Sequence, residues 1–264
     1  MVVIASEDRE VILEAVQRMY TDVARDPDRG FHFPTGRSAC EVEGYPADLL
    51  DPLPKAAVAS FAGVGFPFAA DVIREGDSVL DVGSGSGTDA LIASTLVGPE
   101  GIVFGLDMTA AMRDRLAQNA RAMGATNIRV LDGSAEEIPL PDASVDVVTT
   151  NGVLNLVPDK PRAAAEIHRV LTPGGWVQVA DIVLSSDPSE TCRSKPELWA
   201  ECIVGATKRD DYLDLFEEAG MSRPEVLEDL DYFAHSPSQA TRNLAGSLGA
   251  RSAVLRARKP ASTA

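Results

Sequence analysis

An apolar run that leads into a carboxylate and three closely spaced glycines constrains this chain more than any other feature. Residues 79–87 read VLDVGSGSG. The first four residues predict a buried strand of a parallel sheet, and Gly83, Gly85 and Gly87 allow a tight turn before a helix. Loops of this kind bring backbone N–H groups close to a bound nucleotide or nucleoside. The motif therefore predicts a nucleoside cofactor at the carboxyl end of this strand.

The carboxylate inside the motif favours one class of cofactor. Residues 85–90, GSGTDA, also fit the looser dinucleotide fingerprint G-x-G-x-x-A. Asp81, however, lies just before the glycines, where it would repel a pyrophosphate and attract the ammonium of a methionine moiety. Asp107, after the second predicted strand, is placed to accept hydrogen bonds from both hydroxyls of a ribose. Together the two carboxylates predict S-adenosylmethionine as the cofactor.

Composition limits the possible partners. The 264 residues, of which 45% are hydrophobic and 24% charged, suit one α/β domain with additions. A formal net charge of −16 disfavours nucleic acids and anionic membranes, because both would repel the protein. No apolar run reaches the roughly 18 residues that a membrane helix needs, and residues 1–10 lack the features of a secretion signal. We therefore expect a cytoplasmic protein that acts on a small molecule, with no nucleic acid or membrane partner; its oligomeric state is open.

Apolar periodicity predicts alternating strands and helices. Strands are predicted at 78–82, 101–106, 128–132, 145–150 and 175–183, and helices at 89–96, 109–123 and 160–171. A helix at 209–219 and strands near 225–230 and 252–258 complete the pattern. This order predicts an α/β fold with a doubly wound, Rossmann-like sheet.

Two segments are predicted to be additions to the alternating strands and helices. Residues 1–75 are predicted to form an N-terminal helix and a lid segment, and residues 76–264 the α/β domain. Residues 26–54 are rich in Pro, Gly and Asp, which favours an irregular, mobile lid over the cofactor mouth. Residues 185–208 are predicted as an insertion over the carboxyl edge of the sheet, where an acceptor would bind.

Several segments resemble known methyltransferases. The glycine loop, GLDM at 105–108, GSAEEIPLPDASVDVV at 133–148 and RVLTPGGW at 169–176 are similar to class I S-adenosylmethionine-dependent methyltransferases. A narrower resemblance, to arsenite methyltransferases, is carried by GYPADLL at 44–50, AGVGFP at 62–67, NGVLNLVPDK at 151–160, LWAECIVGA at 198–206 and GARSAVLRARKP at 249–260. The resemblance implies a methyltransferase sheet and methyl transfer to a small acceptor.

The cysteines depart from the pattern of the resembled family. Arsenite methyltransferases bind trivalent arsenic through cysteine thiolates, which suit a soft ion. This chain matches one such position with Cys202, but it has Val64 and Gly152 where the family usually has two others. Cys40 and Cys192 are the remaining cysteines, and an odd number without CxxC spacing predicts free thiols. Whether Cys40 or Cys192 adds a thiolate beside Cys202 is open at this point.

The incomplete thiolate set leaves three functions open. The first is a methyltransferase for a small organic acceptor, in a pocket that Val64 and Gly152 make wider and drier. The second is an arsenite methyltransferase that works with fewer cysteines, and the third is a protein that binds S-adenosylmethionine without catalysis. No metal site is predicted.

Roles can be assigned to individual side chains. The predicted cofactor-binding residues are Asp81, Gly83, Ser84, Gly85, Gly87, Asp107, Met108, Ser134, Ala135, Glu136 and Asn151. Residues 134–136 are expected at the adenine edge. Asn151, at the end of the fourth strand, is predicted either to orient the donor or acceptor or to stabilise the following turn. An amine or hydroxyl acceptor would need a base, for which His32 and Glu201 are candidates; Asn151, Cys202 and His32 are thus the predicted catalytic residues.

Overall fold

A computed structural model describes residues 6–31, 33–188, 203–236 and 238–261. Its framework is one eight-stranded sheet. The strands are β1 (Ser78–Val82), β2 (Ile102–Asp107), β3 (Ile128–Asp132), β4 (Val145–Asn151), β5 (Leu171–Leu184), β6 (Thr207–Lys208), β7 (Glu225–Leu230) and β8 (Arg251–Arg258). Their order is β3-β2-β1-β4-β5-β8-β7, with β6 beside β5. Strands β1 to β6 pair in parallel, whereas β8 is antiparallel to both β5 and β7.

Helices cover both faces of this sheet. They are α1 (Ser6–Arg25), α2 (Arg37–Val42), α3 (Ala47–Leu50), α4 (Lys55–Ala59), α5 (Thr88–Val97), α6 (Ala110–Met123), α7 (Lys160–Val170), α8 (Arg209–Glu218) and α9 (Gln239–Leu248). Short 3-10 helices lie at Pro67–Ala70, Leu154–Leu156 and Tyr232–His235. The predicted doubly wound α/β fold is confirmed. Among the residues described, no helix is long and apolar enough to cross a membrane.

Alternating side chains of the central strands build two cores. Leu80 of β1 packs with Ile167 of α7 and Phe216 of α8 on one face. Val79, its neighbour, packs with Leu91 of α5 and Leu116 of α6 on the other. A strand buried on both faces needs a continuous apolar run, which is the pattern of VLDV.

The parallel order places the predicted site residues at one edge. Strands β1, β2 and β4 are neighbours and run in the same direction. Asp81 lies near the carboxyl end of β1, and Asp107 and Asn151 are the last residues of β2 and β4. Residues far apart in the sequence thus meet at the edge where doubly wound folds bind ligands.

The prediction of an irregular segment at 26–54 is wrong at two short helices. The structure has α2 and α3 there, and Cys40, Tyr45 and Leu50 are buried in the core beside α5. Each helix is too short to show a clear apolar period, so the prediction followed the Pro and Gly content of the segment instead. The helix α9 was likewise not predicted, although its buried residues Thr241, Ala245 and Leu248 have helical spacing.

The junction between α7 and β5 also differs in detail from the prediction. The helix ends at Val170 and the strand begins at Leu171, without a separate turn. Leu171 pairs with Val145, but the next partners are Trp176 and Val147. The residues between Leu171 and Trp176, Thr-Pro-Gly-Gly, are therefore accommodated as an irregularity within the strand pairing.

Candidate active site

A cavity of about 130 Å³ opens at the carboxyl edge of β1, β2 and β4. Its wall is formed by the glycine loop, the ends of these strands, residues 60–63, residues 133–136 and α1. All predicted cofactor-binding residues except Gly87 line it, namely Asp81, Gly83, Ser84, Gly85, Asp107, Met108, Ser134, Ala135, Glu136 and Asn151. These residues come from four separate segments of the chain, and their roles toward a ligand stay predictions.

Two positions of the loop require glycine for packing reasons. Gly83 has φ +71°, and a Cβ there would lie 2.3 Å from Cγ2 of Val153. Gly87 has φ +98°, and a Cβ there would lie 2.3 Å from Cδ1 of Leu116 in α6. Gly83 borders the cavity, whereas Gly87 allows α6 to pack closely against the loop.

Asp107 is held in a fixed orientation by the backbone. Thr109 N–H donates to its Oδ1 at 2.7 Å and Gly85 N–H donates to its Oδ2 at 2.9 Å. Burial raises the pKa of Asp107, and these hydrogen bonds oppose that shift. Because each oxygen retains a second lone pair, the carboxylate can still accept two hydroxyls, as a ribose would offer.

Asp81 carries a buried oxygen that lacks a partner. Its side chain is only 2% exposed, and within the described part of the chain no group donates a hydrogen bond to Oδ2. Burial raises the pKa of Asp81 well above its ordinary value, and the nearby Asp89 and Asp107 raise it further. A buried, unpaired carboxylate is unfavourable on its own. The ammonium of a methionine moiety would pair with this oxygen, so the residues present fit S-adenosylmethionine.

A hydrogen-bond network that the sequence did not reveal lies beside Asp81. Tyr45 Oη donates to Oδ1 of Asp89 at 2.6 Å, and Nδ2 of Asn151 donates to Oδ2 at 3.2 Å. Val64 N–H donates to Oδ1 of Asn151 at 2.7 Å, and Nδ2 also donates to the carbonyl of Gly65 at 2.8 Å. These contacts favour a structural role for Asn151; a role toward the donor or acceptor stays a prediction.

Asp89 is the functional candidate that the sequence analysis missed. It lies in the first turn of α5, lines the cavity and is buried. Burial raises its pKa to about 6, although the hydrogen bonds from Tyr45 and Asn151 lower it. The available signal was a carboxylate directly after the glycine loop, but the dinucleotide fingerprint accepts any residue at that position.

The helix α1 covers the cavity. Leu13, Val16 and Tyr20 line the wall from above. The guanidinium of Arg9 pairs with Oε2 of Glu136, whose Oε1 accepts the N–H of Asp159 at 2.7 Å. Glu136, predicted at the adenine edge, therefore also fastens this helix, and α1 takes the covering position that was predicted for residues 26–54.

Cys40 is the one cysteine among the described residues, and it does not line the cavity. It belongs to α2, is completely buried in the core, and burial raises the pKa of its thiol. His32, Cys192, Glu201 and Cys202 lie outside the described residues, so their roles stay predictions. No group of three or more His, Cys, Asp or Glu side chains that could hold a metal ion occurs in the ranges that the structure covers.

The two positions that depart from the arsenite methyltransferases are neighbours in space. Gly152 lines the cavity with φ +70°, and Val64 is buried directly behind it. A Cβ on Gly152 would lie 3.4 Å from Cγ1 of Val64. The contact brings together AGVGFP and NGVLNLVPDK, two motifs almost ninety residues apart, at one wall of the cavity.

Comparison with known proteins identifies the family. A methyltransferase domain family matches residues 73–220, which is more than half of the chain. The chain belongs to the class I S-adenosylmethionine-dependent methyltransferases. The cofactor prediction is confirmed by this membership, and the dinucleotide alternative is set aside.

Within this family, the chain is similar to arsenite and demethylmenaquinone methyltransferases. An arsenite methyltransferase of Halobacterium salinarum is 36% identical over 234 residues, which cover 86% of this chain and 58% of that relative. An arsenic(III) S-adenosylmethionine methyltransferase from Chlamydomonas reinhardtii has a solved structure that matches with a TM-score of 0.64 and 31% identity, covering 86% of this chain and 74% of that one. A demethylmenaquinone methyltransferase of Geobacillus kaustophilus is 39% identical over 103 residues, or 39% of this chain and 44% of that protein. The methyltransferase thus spans little more than half the length of the first arsenite relative.

Proposed function

We propose that this methyltransferase transfers the methyl group of S-adenosylmethionine to a small organic acceptor. The observation that carries the proposal is the contact between Val64 and Gly152. At these adjacent positions arsenite methyltransferases usually have cysteines, whereas here one residue is apolar and the other has no side chain. Trivalent arsenic binds most strongly where several soft thiolates converge.

The cavity wall near this contact supports an organic acceptor. Ala62, Gly63, Gly152, Val153 and Leu156 line the cavity there, and none has a polar side chain. A wall of this composition favours burial of apolar carbon and offers little to an inorganic oxyacid. Cys40, the one cysteine among the residues described, is buried elsewhere.

The chain's own residues can supply what methyl transfer requires. When bound, S-adenosylmethionine provides an activated methyl group on its sulfonium sulfur. Asp81 would hold the ammonium, Asp107 would hold the ribose hydroxyls, and α1 would exclude water from the reacting groups. Alignment and exclusion of water account for much of the rate enhancement in reactions with an activated donor.

Arsenite is the second candidate acceptor. It is favoured by the 36% identity to the arsenite methyltransferase of Halobacterium salinarum, and it would rely on Cys202 with fewer partner thiolates. A third possibility, binding without catalysis, uses the same cofactor contacts.

The test compares acceptors and restores the missing thiolates. Purified wild-type protein is incubated with S-adenosylmethionine and either arsenite plus a thiol reductant or a panel of small phenols, amines and thiols, and S-adenosylhomocysteine is measured. We expect turnover with an organic acceptor and none with arsenite. The variant combining Val64→Cys with Gly152→Cys should gain arsenite methylation, whereas Val64→Ser with Gly152→Ser, which has the same size but no thiol, should not.

Opposite results would overturn the proposal. Arsenite turnover by the wild type that is abolished by Cys202→Ser would establish the second candidate. Failure of every acceptor, including arsenite, despite tight binding of S-adenosylhomocysteine would favour the third.

A further inference from the structure

The cofactor contacts proposed above do not involve Asp89. Asp81 has a buried oxygen without a hydrogen-bond donor, which the proposal assigns to the ammonium, and Asp107 is assigned to the ribose. We infer that Asp89 is the general base of the reaction and takes the proton from the attacking atom of the acceptor. This inference rests on the proposed function and deepens it, because it names the acceptor class as a neutral nucleophile that carries a proton.

The geometry of Asp89 suits a base. Its carboxylate borders the cavity, and Tyr45 Oη, at 2.6 Å, and Nδ2 of Asn151, at 3.2 Å, each bind a different oxygen. Both oxygens keep a second lone pair that can accept a proton. A carboxylate fixed by two donors needs little reorganisation when the proton arrives.

Asp89 also lies close to the proposed acceptor wall. The amide of Asn151 that binds Asp89 also accepts the Val64 N–H, and Gly152 is the next residue in the chain. The carboxylate is therefore one side chain away from the apolar wall. By contrast, Asp107 is held at the end of β2 by Gly85 and Thr109, away from this amide.

The step balances without another reactant. The attacking atom forms a bond to the methyl carbon, the carbon–sulfur bond breaks with its electron pair left on sulfur, and the proton of the attacking atom passes to Asp89. A hydroxyl or neutral amine would become positively charged on methylation unless its proton is removed, and an acidic C–H must lose its proton before the carbon can attack, so each of them calls for such a base.

The surroundings tune the basicity of Asp89. Facing it are Tyr45, Cys40 and Glu43 from the α2 region and Asp81 from β1. None of these groups carries a positive charge, and burial raises the pKa of Asp89 to about 6. The group is ionised above that pH and accepts protons more readily than an ordinary carboxylate. We therefore expect the rate to fall as the pH drops through about 6.

The activity test uses two acceptors of nearly equal shape, phenol and thiophenol. Thiophenol reacts largely as a preformed thiolate near neutral pH, whereas phenol must lose its proton. We expect Asp89→Asn to reduce phenol turnover by about 100-fold or more and to reduce thiophenol turnover much less. Asp48→Asn, which removes one exposed carboxylate from α3, is the matched control. Affinity for S-adenosylhomocysteine, measured by calorimetry, checks that the cofactor site is intact.

A second measurement does not depend on turnover. Carboxyl ¹³C resonances of aspartate-labelled protein bound to S-adenosylhomocysteine should include one that is lost in Asp89→Asn and titrates near pH 6. Tyr45 is a positioning residue, and its hydrogen bond lowers the pKa of Asp89. Tyr45→Phe should therefore move this titration, and the acid limb of phenol turnover, to higher pH.

Each outcome decides a separate claim. Equal losses with phenol and thiophenol, or an Asp89 resonance that titrates at the ordinary value of about 4, would overturn the assignment of Asp89 as base. No turnover of either compound by the wild type would count against the proposed function for this acceptor class. The inference about Asp89 would then be judged by its carboxyl titration alone, which must lie near pH 6.

Discussion

Replacing Asp107 with alanine should weaken cofactor binding by about 2–4 kcal/mol. The structure leaves each carboxylate oxygen one free lone pair after the Gly85 and Thr109 N–H groups have donated to it. Two ribose hydroxyls can occupy these sites, and each charge-assisted hydrogen bond contributes about 1.5–3 kcal/mol. In the variant, water can hydrogen-bond to the ribose hydroxyls and recovers part of this binding free energy. The net loss is therefore about 2–4 kcal/mol, which corresponds to roughly 30-fold to 700-fold weaker affinity.

The measurement is isothermal calorimetry with S-adenosylhomocysteine. Asp107→Ala also leaves two backbone N–H groups without acceptors, so thermal unfolding must show that the variant is folded at the temperature used. Asp107→Asn keeps the side-chain shape and one acceptor oxygen, and its affinity should lie between those of the wild type and the alanine variant. Asp132→Ala removes an exposed carboxylate from the same edge of the sheet and should leave the affinity within about twofold.

Unchanged affinity in a folded Asp107→Ala variant would refute the ribose assignment. An equal loss in Asp132→Ala would show that overall charge, and not the geometry of Asp107, determines binding.

Three further predictions follow from other parts of the structure. Asp81→Asn removes the charge that faces the ammonium while keeping its shape, so calorimetry should show weaker binding of S-adenosylhomocysteine and no gain of NAD binding. Hydrogen exchange in α1 should slow when S-adenosylhomocysteine is added, whereas exchange in α2, already packed into the core, should change little. Burial raises the pKa of Asp181 to about 7, so its folded form binds a proton more tightly than the unfolded chain does. Its contribution to the free energy of unfolding is therefore lost as the pH rises from about 4 to about 7. Urea titrations should show a shallower fall over this range in Asp181→Asn.

Much of the sheet could be predicted from the sequence because its central strands are buried on both faces. The bounds of β1, β3 and β7 agree with the prediction, at Ser78–Val82, Ile128–Asp132 and Glu225–Leu230. The strand β1 is a continuous apolar run, whereas β3 and β7 lie at the two ends of the strand order and mix apolar with polar residues, as in IRVLD and EVLEDL. Topology then placed Asp81, Asp107 and Asn151 at the same edge.

The network around Asp89 could not be predicted in this way. Tyr45 is 44 residues from Asp89 in the sequence, and Asn151 is 62 residues from it. No local spacing links them, and Tyr45 lies in a segment whose short helices show no clear period. Their contact depends on how α2 and α3 pack against α5, which is a property of the tertiary structure.

The covering role of α1 illustrates a second limit. An N-terminal helix was predicted, but apolar periodicity shows only that a helix has a buried face and does not show what that face packs against. Leu13, Val16 and Tyr20 line the cavity, and Arg9 pairs with Glu136, which is 127 residues away in the sequence.

A crystal structure with bound S-adenosylhomocysteine tests the central claim most directly. We expect Oδ2 of Asp81 within hydrogen-bond distance of the ammonium, Asp107 on the ribose hydroxyls, and an apolar wall including Gly152 beside the sulfur, with at most one cysteine sulfur bordering the space for the acceptor. Two or more cysteine sulfurs converging on that space would contradict the account and establish a thiolate site for arsenic.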